Sequence, residues 1–510
     1  MHRRPGSALR WIGLLAVVAG CTDRPDRNSG DSGSSVTVLY DADERVFGPF
    51  WSMNAWFMMF LPLVQYDETG EIGPRLAKSW EHSDDLRRWT FHLRSDVKWH
   101  DGVPTTAHDV KFTIELQALP EVLFDDAWQD MDSIVVADDT TLTFHYSQPT
   151  DALNTWMVYW PKHILEQLDP ERFWEWEFWV QPVGNGPYRY VRHVPRTFVE
   201  LEANPEFYAG KPAIERVRLK FGSTSGLAEL MSGNVDILAS VTPDEAFSLG
   251  LDSRFDTYYS IHPAVPWLTA LIWNHRHPFL ADPTIRRAMT MAINRRELLQ
   301  VLNLPEDLRL ADVPFTPRQY YRDDPLGLLP YDPEQAISLL TAAGWRDTDG
   351  DQILDRDGEP FRLTVLTTIQ SETEAVYIQG AFRRIGIDMR IQLLDRSVIN
   401  RRIASGDFDA AFVPFWNHID GHLKWYTADN MIGYANKEVG RLLQAVRATA
   451  DMAERDSLYC EAAPLLLEDM PITLLIPSVD VVVARSNVRG LDRSVWADPM
   501  VYMENLWLEP

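Results

Sequence analysis

Alternating apolar and polar residues mark short strands along most of the chain. The clearest examples are Arg88–Arg94, Leu142–Tyr146 and Phe361–Val365, where every second side chain is apolar. This period fits strands that bury one face and expose the other. Alternation of the same kind begins at Val36, so strands are predicted from there onward.

Helix signals are interleaved with these strands. Asp282 and Asp332 each precede a proline, which is the arrangement of an N-cap residue followed by proline in the first helical turn. Apolar residues then recur at helical spacing after each of these starts. Helices and strands mixed over the whole length predict an α/β fold.

Two segments resemble crossings between separate lobes. Ser260–Trp267 contains two prolines, and Leu475–Ser478 follows an apolar helix and precedes a strand. We therefore predict lobe I over residues 36–265 with a subdomain near 67–184, lobe II over 266–475, and a return to lobe I over 476–510. Two crossings form a hinge about which such lobes close on a ligand.

The N-terminal residues predict export and lipid anchoring. Basic residues precede a short apolar run, Trp11–Ala19, which is too short to span a membrane and ends close to Cys21. This pattern predicts a signal peptide over residues 1–20 and lipidation of Cys21. Residues 21–35 are polar and predict a flexible tether. A secretory signal with an unrelated cysteine is the alternative.

Composition narrows the classes of partner. The 510 residues exceed what one core usually holds, and the net charge of −26 disfavours nucleic acid and anionic lipid headgroups as partners. It is compatible with a cationic or zwitterionic ligand. No segment after the signal has about 18 consecutive apolar residues, so we expect the membrane to be contacted through the lipid anchor only. Sequence patterns of zinc proteases, serine hydrolases, Walker A proteins and dinucleotide-binding proteins are missing, so we predict a binding protein and no enzyme. A secreted hydrolase or a sensor is the alternative function.

Several ordered segments resemble family 5 of the extracellular solute-binding proteins, the peptide- and nickel-binding group. They include Pro74–Trp80, Trp89–Arg94, Val97–Val110 and Gly184–Tyr190. The resemblance implies a two-lobed periplasmic-binding-protein-like fold of type II, similar to cluster C. It also implies a monomer in the periplasm or at the cell surface that passes its ligand, here expected to be a short peptide, to the permease of an ABC importer.

The resemblance places candidate ligand contacts in lobe II. Asp420 is the positional match to the acidic residue that pairs with a peptide's amino terminus in peptide-binding members. Trp416 and Trp273 offer flat surfaces for peptide side chains or sugars, and Asn274 follows in a segment similar to pocket-lining sequence. His418, Asp420 and His422 also have the donor types that hold a transition metal. A metal chelate or an oligosaccharide is therefore the alternative ligand.

An acidic run predicts a structural calcium site that is separate from the ligand site. Its oxygen donors are the side chains of Asp347, Asp349, Asp351 and Asp355 and the carbonyl group of Ile353. The spacing departs from that of an EF-hand, and a solvated acidic turn is the alternative. No other cofactor is expected.

Overall fold

The computed structural model describes most of the chain from position 34 onward. The described residues are 34–39, 53–66, 72–119, 121–122, 131–153, 157–195, 197–221, 225–239, 241–260, 267–306, 308, 310, 313, 329–416, 423, 425–427, 430–449, 451–491 and 499–510.

Strands and helices alternate through these residues. The strands are β1 (Ser35–Leu39), β2 (Val64–Tyr66), β3 (Ile72–Pro74), β4 (Ala77–His82), β5 (Arg88–Leu93), β6 (Met131–Asp138), β7 (Thr141–Tyr146), β8 (Tyr188–Val194), β9 (Phe198–Ala203), β10 (Arg216–Lys220), β11 (Ile237–Leu238), β12 (Phe255–Ser260), β13 (Trp267–Trp273), β14 (Asp355–Arg356), β15 (Glu359–Pro360), β16 (Arg362–Thr367), β17 (Asp388–Leu393), β18 (Ala410–Trp416), β19 (Ile472–Pro477), β20 (Asp480–Arg485), β21 (Val488–Arg489) and β22 (Trp507–Leu508). The α-helices are α1 (Met53–Met59), α2 (Ala107–Gln117), α3 (Lys162–Leu165), α4 (Gly226–Ser232), α5 (Pro243–Leu249), α6 (Pro283–Met291), α7 (Arg295–Val301), α8 (Pro333–Ala342), α9 (Glu372–Arg384), α10 (Arg396–Ser405), α11 (Lys437–Arg447) and α12 (Met452–Asp469).

A seven-stranded sheet joins the beginning and the end of the described chain. Its strand order is β12-β20-β11-β1-β10-β9-β8. Strand β20 belongs to the C-terminal part of the chain and lies between β12 and β11. Alternate residues such as Val36, Val38 and Val217 are fully buried on one face, in a core rich in tryptophan and phenylalanine.

A five-stranded sheet of order β17-β16-β18-β13-β19 forms the centre of a second layered unit. Along β13, Leu271 and Trp273 pack on the side of α6, α8 and α9, whereas Ala270 and Ile272 pack on the side of α10, α11 and α12. Because both faces are covered by helices, the strands are apolar on both sides. A third sheet, of order β4-β5-β7-β6, has its own core and packs with α2.

The structure confirms the predicted helix starts. The Asp282 carboxylate accepts a hydrogen bond from the Thr284 amide at 2.8 Å, and the Asp332 carboxylate accepts one from the Gln335 amide at 2.8 Å. The strands predicted from alternation are also present, as β1, β5, β7 and β16. The lobe boundaries stay a prediction.

Candidate ligand-binding site

Two crossings connect the seven-stranded and five-stranded sheets at neighbouring positions. Ser260 at the end of β12 pairs with Asp480 at the start of β20. In the other sheet, Leu268 near the start of β13 pairs with Pro477 at the end of β19. Only residues 478–479 separate β19 from β20. The two crossings thus start from neighbouring strands of one sheet and lead to neighbouring strands of the other, which is the arrangement of a two-segment hinge.

The segment predicted to bind ligand leaves the five-stranded sheet at this same end. β18 ends at Trp416, whose backbone pairs with Trp267, the first residue of β13. The side chain of Trp416 and all of His418, Asp420 and His422 lie outside the described residues. The start of the segment is therefore located beside a crossing, and the roles of its side chains stay predictions.

Trp273 lies at the opposite end of β13 from the crossing. It pairs with Ala410, the first residue of β18, and a strand of this length spans about 20 Å. Its indole is fully buried, donates a hydrogen bond to Thr473 Oγ1 at 3.1 Å and packs near Phe382. The structure therefore does not bring Trp273 and Trp416 together, and as placed the Trp273 indole has no exposed surface to offer a ligand.

Asn274 is also buried and satisfies the backbone of a neighbouring turn. Its amide group donates hydrogen bonds to the carbonyl oxygens of Gly406 at 3.2 Å and Phe408 at 2.7 Å. Its own backbone amide donates to the carbonyl of Asp409 at 2.9 Å. These bonds fix the turn that precedes β18, so Asn274 positions the strand that leads to the predicted ligand segment.

Two of the segments that resemble family 5, Val97–Val110 and Gly184–Tyr190, are hydrogen-bonded to each other, and the second is also bonded to the end of α1 in the first lobe. The His100 ring lies between the Gly184 amide, at 3.2 Å from Nδ1, and the Gly186 carbonyl, at 3.1 Å from Nε2. The Met59 carbonyl at the end of α1 accepts bonds from the amides of Asn185 and Gly186. A Cβ atom at Gly184 would lie 1.9 Å from the Met59 oxygen, so only glycine fits there. His100 and the residues 184–186 therefore have a structural role.

The acidic run forms an exposed turn between α8 and β14. One carboxylate oxygen from each of Asp347, Asp349 and Asp351 lies within 4.8 Å of the other two, which fits a shared hard cation. Asp355 instead accepts hydrogen bonds from the Thr348 amide at 2.9 Å and hydroxyl at 2.8 Å. Ile353 buries its side chain, and its amide donates to Asp351 at 2.7 Å. The structure thus groups three of the five predicted donors.

Comparison with known sequences assigns the chain to a family. The sequence model of the bacterial extracellular solute-binding proteins, family 5 Middle, matches residues 71–427, more than half of the chain. The chain belongs to this family. Family 5 proteins are the extracytoplasmic substrate-binding components of ABC importers, so this chain is a binding protein and not an enzyme. Within the described residues we find no helix with the length and apolar character needed to span a membrane.

Relatives of this family 5 protein cover most of its length. It is 24% identical to the oligopeptide-binding protein AppA of Bacillus subtilis, over 93% of this chain and 94% of that protein. It is 27% identical to the nickel-binding periplasmic protein of Escherichia coli, over 80% of this chain and 81% of that protein. A putative peptide-binding protein AppA from Clostridium difficile superposes with a TM-score of 0.81 at 20% identity, covering 93% of this chain and all of the other. These likenesses confirm the two-lobed α/β fold.

Among the described residues, two polar contacts join the lobes of the family 5 protein away from the crossings. Asn303 Nδ2 donates to Asp244 Oδ1 at 2.5 Å, between the end of α7 and the first turn of α5. Arg455 in α12 pairs with Asp151 at 3.4 Å. Sequence reasoning did not find these contacts, because their partners are 59 and 304 positions apart and no local pattern marks them.

Proposed function

We propose that this family 5 protein is anchored by a lipid on Cys21 and captures short peptides between its lobes for delivery to an ABC permease. The observation that carries the proposal is the arrangement of the crossings. Both lie at the end of the five-stranded sheet where β18 enters the predicted ligand segment. A ligand held by that segment would lie next to the hinge, where its contacts are best placed to favour closure.

The peptide assignment is supported by the charge that Asp420 would bring to the cleft. A carboxylate shielded from water forms strong charge-assisted hydrogen bonds with an ammonium group. The overall charge of −26 also favours the approach of a cationic or zwitterionic solute over an anionic one. An oligopeptide-binding protein is among the relatives that match nearly the whole chain.

A metal chelate is the second candidate ligand, because His418, Asp420 and His422 alternate along one short segment. Imidazole and carboxylate groups together suit a divalent transition metal. The nickel-binding relative matches this chain at an identity similar to that of the oligopeptide-binding relative.

Native mass spectrometry of the protein purified without unfolding tests the ligand class directly. We expect a mixture of short peptides to be released when the complex is dissociated. Release of a metal with a chelator would establish the second candidate. A protein that carries no ligand and shows no change in unfolding temperature with peptide, sugar or metal panels would contradict the proposed function.

The substitution Asp420→Asn tests the predicted contact. It removes the charge while keeping the size, so we expect peptide affinity to fall by roughly 30-fold or more. Asp132→Asn, at an exposed position of β6, is the matched control and should leave affinity unchanged. If nickel-chelate binding is lost in His418→Ala and His422→Ala while peptide binding is undetectable, the peptide assignment is wrong.

A further inference from the structure

The outer face of the seven-stranded sheet is divided into two halves. In one half Leu39, Leu238 and Val483 pack with residues of α4 and α5 in a small core. In the other half, β10, β9 and β8 bury Val199 and Val217 on the inner face and direct charged side chains outward. This second half is a flat, charged surface that the proposed function does not use.

Arginines and glutamates form two rows across these three strands. In the first row Glu202 is paired in register with Arg189 and Arg216, and in the second row Glu200 is paired with Arg192 and Arg218. Four cations against two anions leave the rows with a net charge of +2. We call the surface formed by these six residues the arginine face.

Glu200 is the buried centre of the arginine face. Its carboxylate is only 5% exposed and accepts bonds from Arg192 at 2.8 Å, Arg216 at 2.9 Å and Arg218 at 3.4 Å. The ring of Phe198 lies between Arg192 and Arg218, with guanidinium carbons 4.9 and 4.7 Å from its centre. The guanidinium groups are thus held in place while about half of each arginine remains exposed, at 54%, 59% and 46%. Since each guanidinium has five N–H donors, several stay directed to solvent.

The charge of this region is opposite to that of the protein as a whole. Residues 188–220 contain seven lysines and arginines and four glutamates, a net charge of +3, whereas the chain carries −26. Charges farther away than about 10 Å are largely screened at physiological salt. An anionic partner that approaches the arginine face therefore meets a local positive potential despite the acidic total.

The predicted tether arrives beside this face. Ser35, the first residue of β1, pairs with Arg216, and the Ser34 carbonyl accepts bonds from the amides of Glu215 and Arg216. Cys21 precedes Ser34 by 13 positions (34 minus 21), a span of at most about 45 Å. A lipid on Cys21 would keep the arginine face close to the membrane. This step depends on the proposed lipid anchoring, whereas the charge of the face does not.

We propose that the arginine face docks on the anionic phospholipid headgroups of the membrane that holds the anchor. Guanidinium groups bind phosphate through paired N–H donors, and a flat sheet face suits a planar headgroup layer. The chain as a whole carries a net charge of −26, so its overall charge opposes contact between other faces and the same headgroups. Docking therefore selects one orientation of the body on the membrane.

Vesicle binding without the anchor tests this docking. The chain from position 21 with Cys21→Ser, exported behind a cleaved signal peptide, keeps every described residue and has no acyl chain. We expect it to sediment with phosphatidylglycerol vesicles at low salt and not with phosphatidylcholine vesicles. Arg216→Gln with Arg218→Gln leaves Glu200 paired with Arg192 and should weaken this binding roughly 25-fold, about five-fold per arginine.

Matched variants separate charge at this site from total charge and from folding. Arg390→Gln with Arg441→Gln removes the same charge from positions that are 67% and 59% exposed on lobe II, and should change binding less than about two-fold. Arg216→Lys with Arg218→Lys keeps the charge and should retain binding.

Equal binding to both lipids, or equal losses in the two glutamine variants, would overturn the proposal. So would a glutamine variant at 216 and 218 that keeps vesicle binding but fails to deliver ligand, since the face would then meet the permease. Ligand affinity in solution, which tests the proposed function, does not depend on these results.

Discussion

The His100 ring bridges two backbone groups that demand a single protonation state. Nδ1 accepts from the Gly184 amide and Nε2 donates to the Gly186 carbonyl, which a neutral ring protonated at Nε2 can do. A second proton on Nδ1 would face the Gly184 N–H. Burial lowers the pKa of His100 to about 4, and it lowers the pKa of His275 in lobe II to about 4 as well.

These depressed pKa values predict a loss of stability at acidic pH. Between about pH 6.5 and pH 4 the unfolded chain binds protons that the folded chain excludes, so the stabilisation present above this window is lost as the pH falls. For His100 we expect a loss of about 2.5 kcal/mol between pH 7 and pH 4.5. Urea unfolding at the two pH values measures it. His100→Gln should reduce the pH dependence by that amount, and His108→Gln, at a position that is 54% exposed, should not. Identical pH dependence of stability in both variants would contradict the requirement for a neutral His100 ring.

At the scale of a single element, the acidic turn after α8 is the candidate for stabilisation by calcium. Three exposed carboxylates that lie this close repel one another, and a calcium ion would offset the repulsion. We predict that calcium at ten times its Kd raises the free energy of unfolding by about 1.4 kcal/mol. The test is thermal unfolding after removal of metals, with calcium or magnesium added back.

Variants of the turn distinguish binding from screening. Asp349→Asn removes one of the three carboxylates and should abolish the calcium effect. Asp357→Asn is the control, because Asp357 lies outside the cluster and its φ of 56° is one that asparagine tolerates. An equal response of the two variants, or an equal response to calcium and magnesium, would show that the turn is only a solvated acidic loop.

Elements with a local signature were predictable from the sequence, and long-range placement was not. Asp282 and Asp332 predict the starts of their helices, because an N-cap side chain bonds to a backbone amide only two or three residues ahead. The buried position of Trp273 depends on α9 and β19, which are remote in sequence, so the same indole could equally be expected in a cleft. The chain order also does not reveal that β18 ends opposite Trp267; pairing in the sheet decides it.

At the scale of the whole molecule, two polar contacts between described residues link the lobes beyond the crossings. The Asn303–Asp244 hydrogen bond and the Arg455–Asp151 ion pair each join residues that lie on opposite sides of the first crossing. Such contacts form only when the lobes are close, so they stabilise a closed arrangement independently of ligand. A protein whose closed state is more populated binds its ligand more tightly, because the apparent Kd is the intrinsic Kd divided by the competent fraction.

Removing both contacts should therefore weaken ligand binding without touching the ligand. Asp151→Asn removes the charge, and Asn303→Gly removes the amide at a φ of 52°, which suits glycine. Partly exposed polar contacts contribute up to about 1 kcal/mol each, so we expect the apparent Kd to rise roughly 5- to 30-fold. Calorimetry measures the affinity, and X-ray scattering of the ligand-free protein should show a larger radius of gyration. Asp407→Asn, which breaks the 2.9 Å pair with Arg402 inside lobe II, is the control and should change neither quantity. If the double variant matches this control, the two contacts are incidental and do not contribute to closure.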